Sequence, residues 1–86
     1  MMNRGGHIKL GDILGMTAKT SKKIIGKIIK ARREEKKITQ SQLAGLLDID
    51  RQYIWRIENG IINLTMDYLD KIILVLGCTH NDFFAI

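Results

Sequence analysis

Proline is absent from this chain, and its 86 positions hold one cysteine, Cys78, and five aromatic residues. Without proline, no helix meets a forced break. A single cysteine excludes an internal disulfide and any CxxC pair. The longest uninterrupted apolar run, residues 72 to 76, is far short of the ~20 residues that span a bilayer. The first residues alternate glycine, polar and single apolar positions and lack the apolar core of a signal peptide. The expected location is therefore cytoplasmic, with no membrane-embedded part. Catalytic groups are equally sparse: His7 and His80 are 73 positions apart, and no glycine-rich phosphate loop follows a strand pattern. No enzymatic activity, metal or cofactor is expected. Cys78 reads as a small hydrophobe and His80 as a surface residue near a helix start.

Negative charge is scarce in the first part of the chain. The whole carries 14 Lys plus Arg against 9 Asp plus Glu, a formal net charge of +5. Residues 1 to 37 hold eleven basic and three acidic side chains, whereas residues 38 to 86 hold three basic and six acidic ones. A positive field gathered in one part suits a polyanion, either nucleic acid or an anionic membrane surface. A chain of this length makes one domain, whose burial is incomplete unless a partner covers more of it.

Residues 1 to 20 are the least regular stretch, because Gly5, Gly6, Gly11 and Gly15 interrupt the apolar Ile8, Leu10, Ile13 and Leu14. They read as an N-terminal extension to a domain spanning 21 to 86. Ser21 fits the N-cap of a first helix from about residue 22 to 37. Ile24, Ile25, Ile28, Ile29 and Ala31 form its apolar stripe, with Lys23, Lys27 and Lys30 on the other side. A basic amphipathic helix can also lie on a membrane, but this stripe is needed to close a bundle. A later helix runs from about residue 66 to 76, capped by Thr65 and stopped at Gly77. Met66, Leu69, Ile72, Ile73 and Leu76 share its core arc, which leaves Tyr68, Leu74 and Val75 outside. A last turn from 79 to about 84 has capping-box spacing between Thr79 and Asp82. Phe83, Phe84 and Ile86 give that turn more apolar surface than it buries alone.

The most legible segment is residues 39 to 60, TQSQLAGLLDIDRQYIWRIENG. Thr39 and Gln42 have the spacing of a reciprocal capping box. Leu43, Leu46 and Leu47 fall on the inward side of the helix that follows. That helix stops at Asp48, a residue type that tolerates a left-handed backbone, and Asp50 restarts a second helix as its N-cap. Ala44 sits one turn from the corner, where a small side chain permits close approach. Taking ~100° per residue, Arg51, Trp55, Gln52 and Arg56 lie at about 0°, 40°, 100° and 140°. Tyr53, Ile57 and Ile54 lie at about 200°, 240° and 300°. One face buries, and the other is long, polar and basic. Such a face is either a solvated surface or a base-reading one, since Arg and Gln reach guanine and adenine edges bidentately.

In register along residues 25 to 84, the chain resembles the lambdoid phage repressor, Cro and Xre family of helix-turn-helix domains. The matching residues are Ile25, Ile29 and Arg33, then Thr39, Gln40, Leu43 and Ala44, then Tyr53, Ile54, Arg56, Ile57, Glu58 and Gly60. Asn63, Leu69, Lys71, Ile72, Leu76, Gly77, Asp82, Phe83 and Phe84 continue the series. The resemblance implies an all-α, compact bundle of five helices whose third lies in the major groove, usually in a dimeric transcriptional regulator.

It also distributes roles. Arg51 and Gln52, in the first turn of the third helix, are expected to touch bases, and Arg56 a base or a phosphate. Trp55 stands where the family usually carries a polar residue; it packs on sugars or a thymine methyl, or sits in a protein contact. Gln40, Tyr53 and Asn63, with Lys22 and Lys23, are expected phosphate partners. Ile61 and Ile62 stand where many relatives carry a basic residue, so Lys19, Lys22 and Lys23 are expected to supply that charge. Arg33 and Glu58 read as a salt bridge between the first and third helices. Arg32 lies mid-stripe, its stem expected to snorkel over the core. Lys37 replaces a glycine that often ends the first helix, so that turn is expected to be built differently.

The resulting expectation is a homodimeric, sequence-specific regulator on double-stranded, palindromic DNA, repressing its own or a neighbouring promoter. Leu74, Val75, Phe83, Phe84 and Ile86 are the expected dimer surface. Short single-domain chains of this kind resemble controller proteins of restriction-modification systems, small phage repressors or autoregulating antitoxins. An alternative from another class is an interaction module that neutralises a toxin through residues 1 to 20 or the Ile61 and Ile62 surface.

Overall fold

Five α-helices follow one another along residues 18 to 85, the part of the chain that the computed structural model describes. They are α1 (Ala18–Glu35), α2 (Gln40–Leu47), α3 (Arg51–Glu58), α4 (Met66–Val75) and α5 (His80–Phe84). Expectations placed on residues 1 to 17, on Ile86 and on the Lys19 side chain lie outside the described residues. Among the described residues there is no strand, and no helix is long and apolar enough to cross a membrane.

The starts of α2, α3, α4 and α5 are set by side chains. Thr39 Oγ1 accepts from the Gln42 amide while Gln42 Oε1 accepts from the Thr39 amide, closing the capping box. Asp50, Thr65 and Thr79 accept from the amides of Tyr53, Tyr68 and Asp82. The helix α1 departs from expectation: it is already helical at Ala18, the first described residue, so Ser21 lies inside the helix and does not cap it. Its end comes early too, because Lys37 turns left-handed at φ 57 and bonds back to Glu34. The lysine thus takes up the conformation that a glycine would adopt with less strain.

The helix α2 packs on α3 and α4, while α1 packs on α3 and α5. Ile29, Leu43, Ile54, Ile72, Ile73 and Phe83 are fully buried where these helices meet. Phe83 therefore corrects the expected dimer surface: its ring is committed to the core of its own chain. The next residue, Phe84, stays 43% exposed, edge-on to Phe83 with ring centroids 4.9 Å apart. Met66 is also no core residue. It opens α4, where a side chain tilts toward the N-terminus and beyond the bundle, and it is 70% exposed. Leu46 and Ile24 face outward as well, because Leu43 with Leu47, and Ile25 with Ile29, occupy the inward stripes at i, i+4 spacing.

Arg32 does more than cover the core with its stem. Its Nε donates to the Phe83 carbonyl at 3.0 Å, one Nη to the Ala85 carbonyl, and the other to Glu35 at 2.7 Å. A cation here satisfies the carbonyl end of α5, whose partial charge is negative.

Candidate nucleic-acid interface

The corner between α2 and α3 is built as its residues demand. Asp48 caps α2 at φ 57 and ψ 45, and the Ile49 amide reaches back to the Ala44 carbonyl at 3.0 Å. Ala44 is buried there, and Asp50 begins α3 two residues later. With Ile54 and Ile57 locked into the core, Arg51, Gln52, Trp55 and Arg56 are left exposed on the opposite face. All four expected base-contacting residues are thereby brought to one surface.

Backbone contact fixes how α3 stands against α1. A Cβ built on Gly26 meets the Ile57 carbonyl oxygen at 2.5 Å and that of Glu58 at 2.7 Å. At Gly60, which is left-handed at φ 73, a Cβ meets Lys23 Cγ at 2.6 Å. Only glycine permits either approach. The sequence pattern does not mark Gly26; its place on α1 one turn before Ile29 is the available signal.

A chain of polar side chains adds a third point of attachment. Arg33 Nε and Nη2 grip the two Glu58 oxygens at 2.6 and 3.0 Å, and both side chains are buried. Arg33 also donates to the Ile38 carbonyl at 2.8 Å. The hydrogen bond to Glu58 holds the Arg33 pKa above its ordinary value; burial works against this, and the Glu58 and Glu34 charges assist it. The chain continues through Gln40, whose Nε2 donates to Glu58 Oε1 at 3.0 Å and whose Oε1 accepts from Arg51 Nη1 at 2.8 Å. The Gln40 side chain, expected to face a phosphate, is thus turned inward onto α3. Its main-chain amide remains in the first turn of α2, where no intrahelical acceptor exists.

The other expected phosphate partners fall into two groups. Lys22 and Asn63 line one groove with Ile62, at the start of α1 and the loop after α3. Lys23 lies against Gly60, beside that same loop. Tyr53 is half-buried, its ring edge-on to Tyr68 at 6.4 Å, away from the face that carries Arg51 and Trp55. Ile61, in the loop, is 55% exposed.

A family model described as helix-turn-helix matches residues 29 to 83, well over half of the chain. The chain belongs to the Cro/C1-type helix-turn-helix family. It is a DNA-binding transcriptional regulator. Among curated proteins, this Cro/C1-type chain is similar to control protein C.MunI of a Mycoplasma species. The two are 37% identical over 59 residues, which is 69% of this chain and 80% of that protein. The family model's residues 29 to 83 take in the corner, α3 and the buried Arg33 and Glu58 alike. Among its described residues, no three of His, Cys, Asp and Glu gather where they would hold a metal ion. His80 is exposed and pairs with Asp70 at 2.9 Å, and Cys78 is half-buried.

Proposed function

We propose that this regulator acts as a homodimer that places α3 of each protomer in the major groove of a palindromic operator and represses its own or a neighbouring promoter. The observation that carries the reading is the exposed face of Arg51, Gln52, Trp55 and Arg56 on a helix whose other face is locked in the core. Arg51 and Gln52, in the first turn, read base edges, and Arg56 reads a base or binds a phosphate. The Gln40 amide, Lys22, Lys23, Tyr53 and Asn63 serve the backbone, with Lys23 providing charge beside a loop that has none of its own.

The dimer surface is Leu74, Val75 and Phe84. Leu74 is 77% exposed, and one recognition helix covers too few base pairs to be selective. Of the short regulators that this chain resembles, the controllers of restriction-modification systems are favoured by the similarity to a protein named a control protein.

Selection of bound duplexes from a random pool, followed by titrations against salt, tests the reading. Neutralising about six phosphates per dimer gives a slope of log affinity on log salt of roughly −5. A slope near zero, or no sequence enriched, overturns it. Sedimentation that finds only monomer, both free and on palindromic duplex, overturns the dimer.

A further inference from the structure

Trp55 offers a polyanion-facing surface something that it does not ordinarily hold. The indole is 45% exposed, while its neighbours on that face, Arg51, Gln52 and Arg56, are polar or charged and likewise exposed. A protein partner would meet a contiguous apolar patch; here one aromatic ring is set among cationic and amide groups. The surface it complements is therefore acidic and polar with an isolated apolar spot. In the major groove the phosphates form the walls and base edges offer donors and acceptors. The outstanding apolar group on the floor is the C5 methyl of thymine.

Position on the helix favours the floor over the walls. At ~40° around α3, Trp55 lies between Arg51 and Gln52, near the middle of the exposed arc rather than at its flanks. Its carbonyl accepts from both the amide and the side chain of Asn59, at 3.0 and 2.8 Å, which holds this turn in place. Arg51 is drawn toward Gln40 at 2.8 Å, which leaves the indole face free to meet a base.

We propose that Trp55 is a specificity-determining residue that reads a thymine in each half-site by laying its indole on the C5 methyl. The inference rests on the reading of α3 as the groove-entering helix. The probe is a duplex recovered by selection with the wild-type protein, in which each thymine in turn is replaced by uracil, a change that removes the methyl alone. One position per half-site should lose about fourfold in affinity, the worth of one buried methyl-sized group. That loss should vanish in Trp55→Ala and persist in part in Trp55→Phe. Trp55 is the sole tryptophan of the chain, so binding should also shift its emission to shorter wavelength. Failure of the wild type to select any duplex removes the DNA reading and this inference with it. Selective binding with no uracil-sensitive position, with unshifted emission, or with a uracil effect unchanged in Trp55→Ala overturns the methyl reading and leaves the DNA reading standing.

Discussion

Arg51, at the start of α3, is tied to Glu58, at its end, through a single side chain of α2. Gln40 accepts from Arg51 at 2.8 Å and donates to Glu58 at 3.0 Å. The exposed Arg51 guanidinium is therefore the outermost member of a chain that begins at the buried Arg33. Gln40→Ala should free Arg51 to sample other rotamers and lower operator affinity. In a double-mutant cycle on affinity, Gln40→Ala and Arg51→Ala should couple by about 0.5–1.5 kcal/mol. Additive losses would mean that the helix alone positions Arg51.

The inner end of that chain governs stability. Glu58→Ala leaves the Arg33 charge buried without its partner, an expected loss of about 3–5 kcal/mol in urea denaturation. Replacing both, as Arg33→Met with Glu58→Leu, should recover most of it. If Glu58→Ala costs less than about 1 kcal/mol, a figure typical of exposed pairs, the burial of this pair has no energetic consequence.

Two glycine substitutions should move in opposite directions. Gly26→Ala drives a methyl against the Ile57 carbonyl and should cost about 1–3 kcal/mol, weakening DNA binding further because α3 must shift. Gly45, exposed on α2, has nothing within 4 Å of a built Cβ. There Gly45→Ala should stabilise by roughly 0.5–1 kcal/mol through helix propensity. Thermal melts of the two variants decide the matter, and equal effects would contradict the close approach at Gly26.

Tyr68 carries a buried hydroxyl that has no hydrogen-bond partner among the described residues. Burial, with a contribution from Tyr53, holds its pKa above the usual 10.0. The folded state thus favours the protonated phenol. Its contribution is intact below the unfolded pKa and is lost as pH rises through the higher folded value. Tyr68→Phe should be neutral or stabilising by up to about 1 kcal/mol at neutral pH, and should flatten the alkaline fall in stability. A clear loss at neutral pH in denaturant titrations would show that the hydroxyl has a partner after all.

Local chemistry made most of the frame legible in advance. The Thr39 and Gln42 box, the left-handed Asp48 and the Asp50 cap each need only residues within a turn. The Arg33 and Glu58 pair, 25 residues apart, was accessible through family resemblance. What escaped depends on directions that only the assembled bundle sets. Phe83 and Phe84 are equivalent as a sequence, and the packing of a single turn decides which of them enters the core. Met66 satisfies the helical period yet projects past the end of its helix. Gln40 has the right type and place for a phosphate partner, but Glu58 and Arg51 converge on its side chain across the corner. Arg32 reads in the sequence only as a mid-stripe cation, because its carbonyl partners lie 51 and 53 residues away.

That clamp orders events in time as well as in space. During synthesis α1 leaves the ribosome long before residues 83 and 85, so the Arg32 guanidinium stays hydrated until α5 arrives. Closing such a distant contact comes with the docking of α5, whose Phe83 completes the core and offsets the loop-closure entropy. Of the described helices, the first to be made is thus held first against α3, through Gly26 and the Arg33 and Glu58 pair, and receives its Arg32 clamp only when α5 is complete.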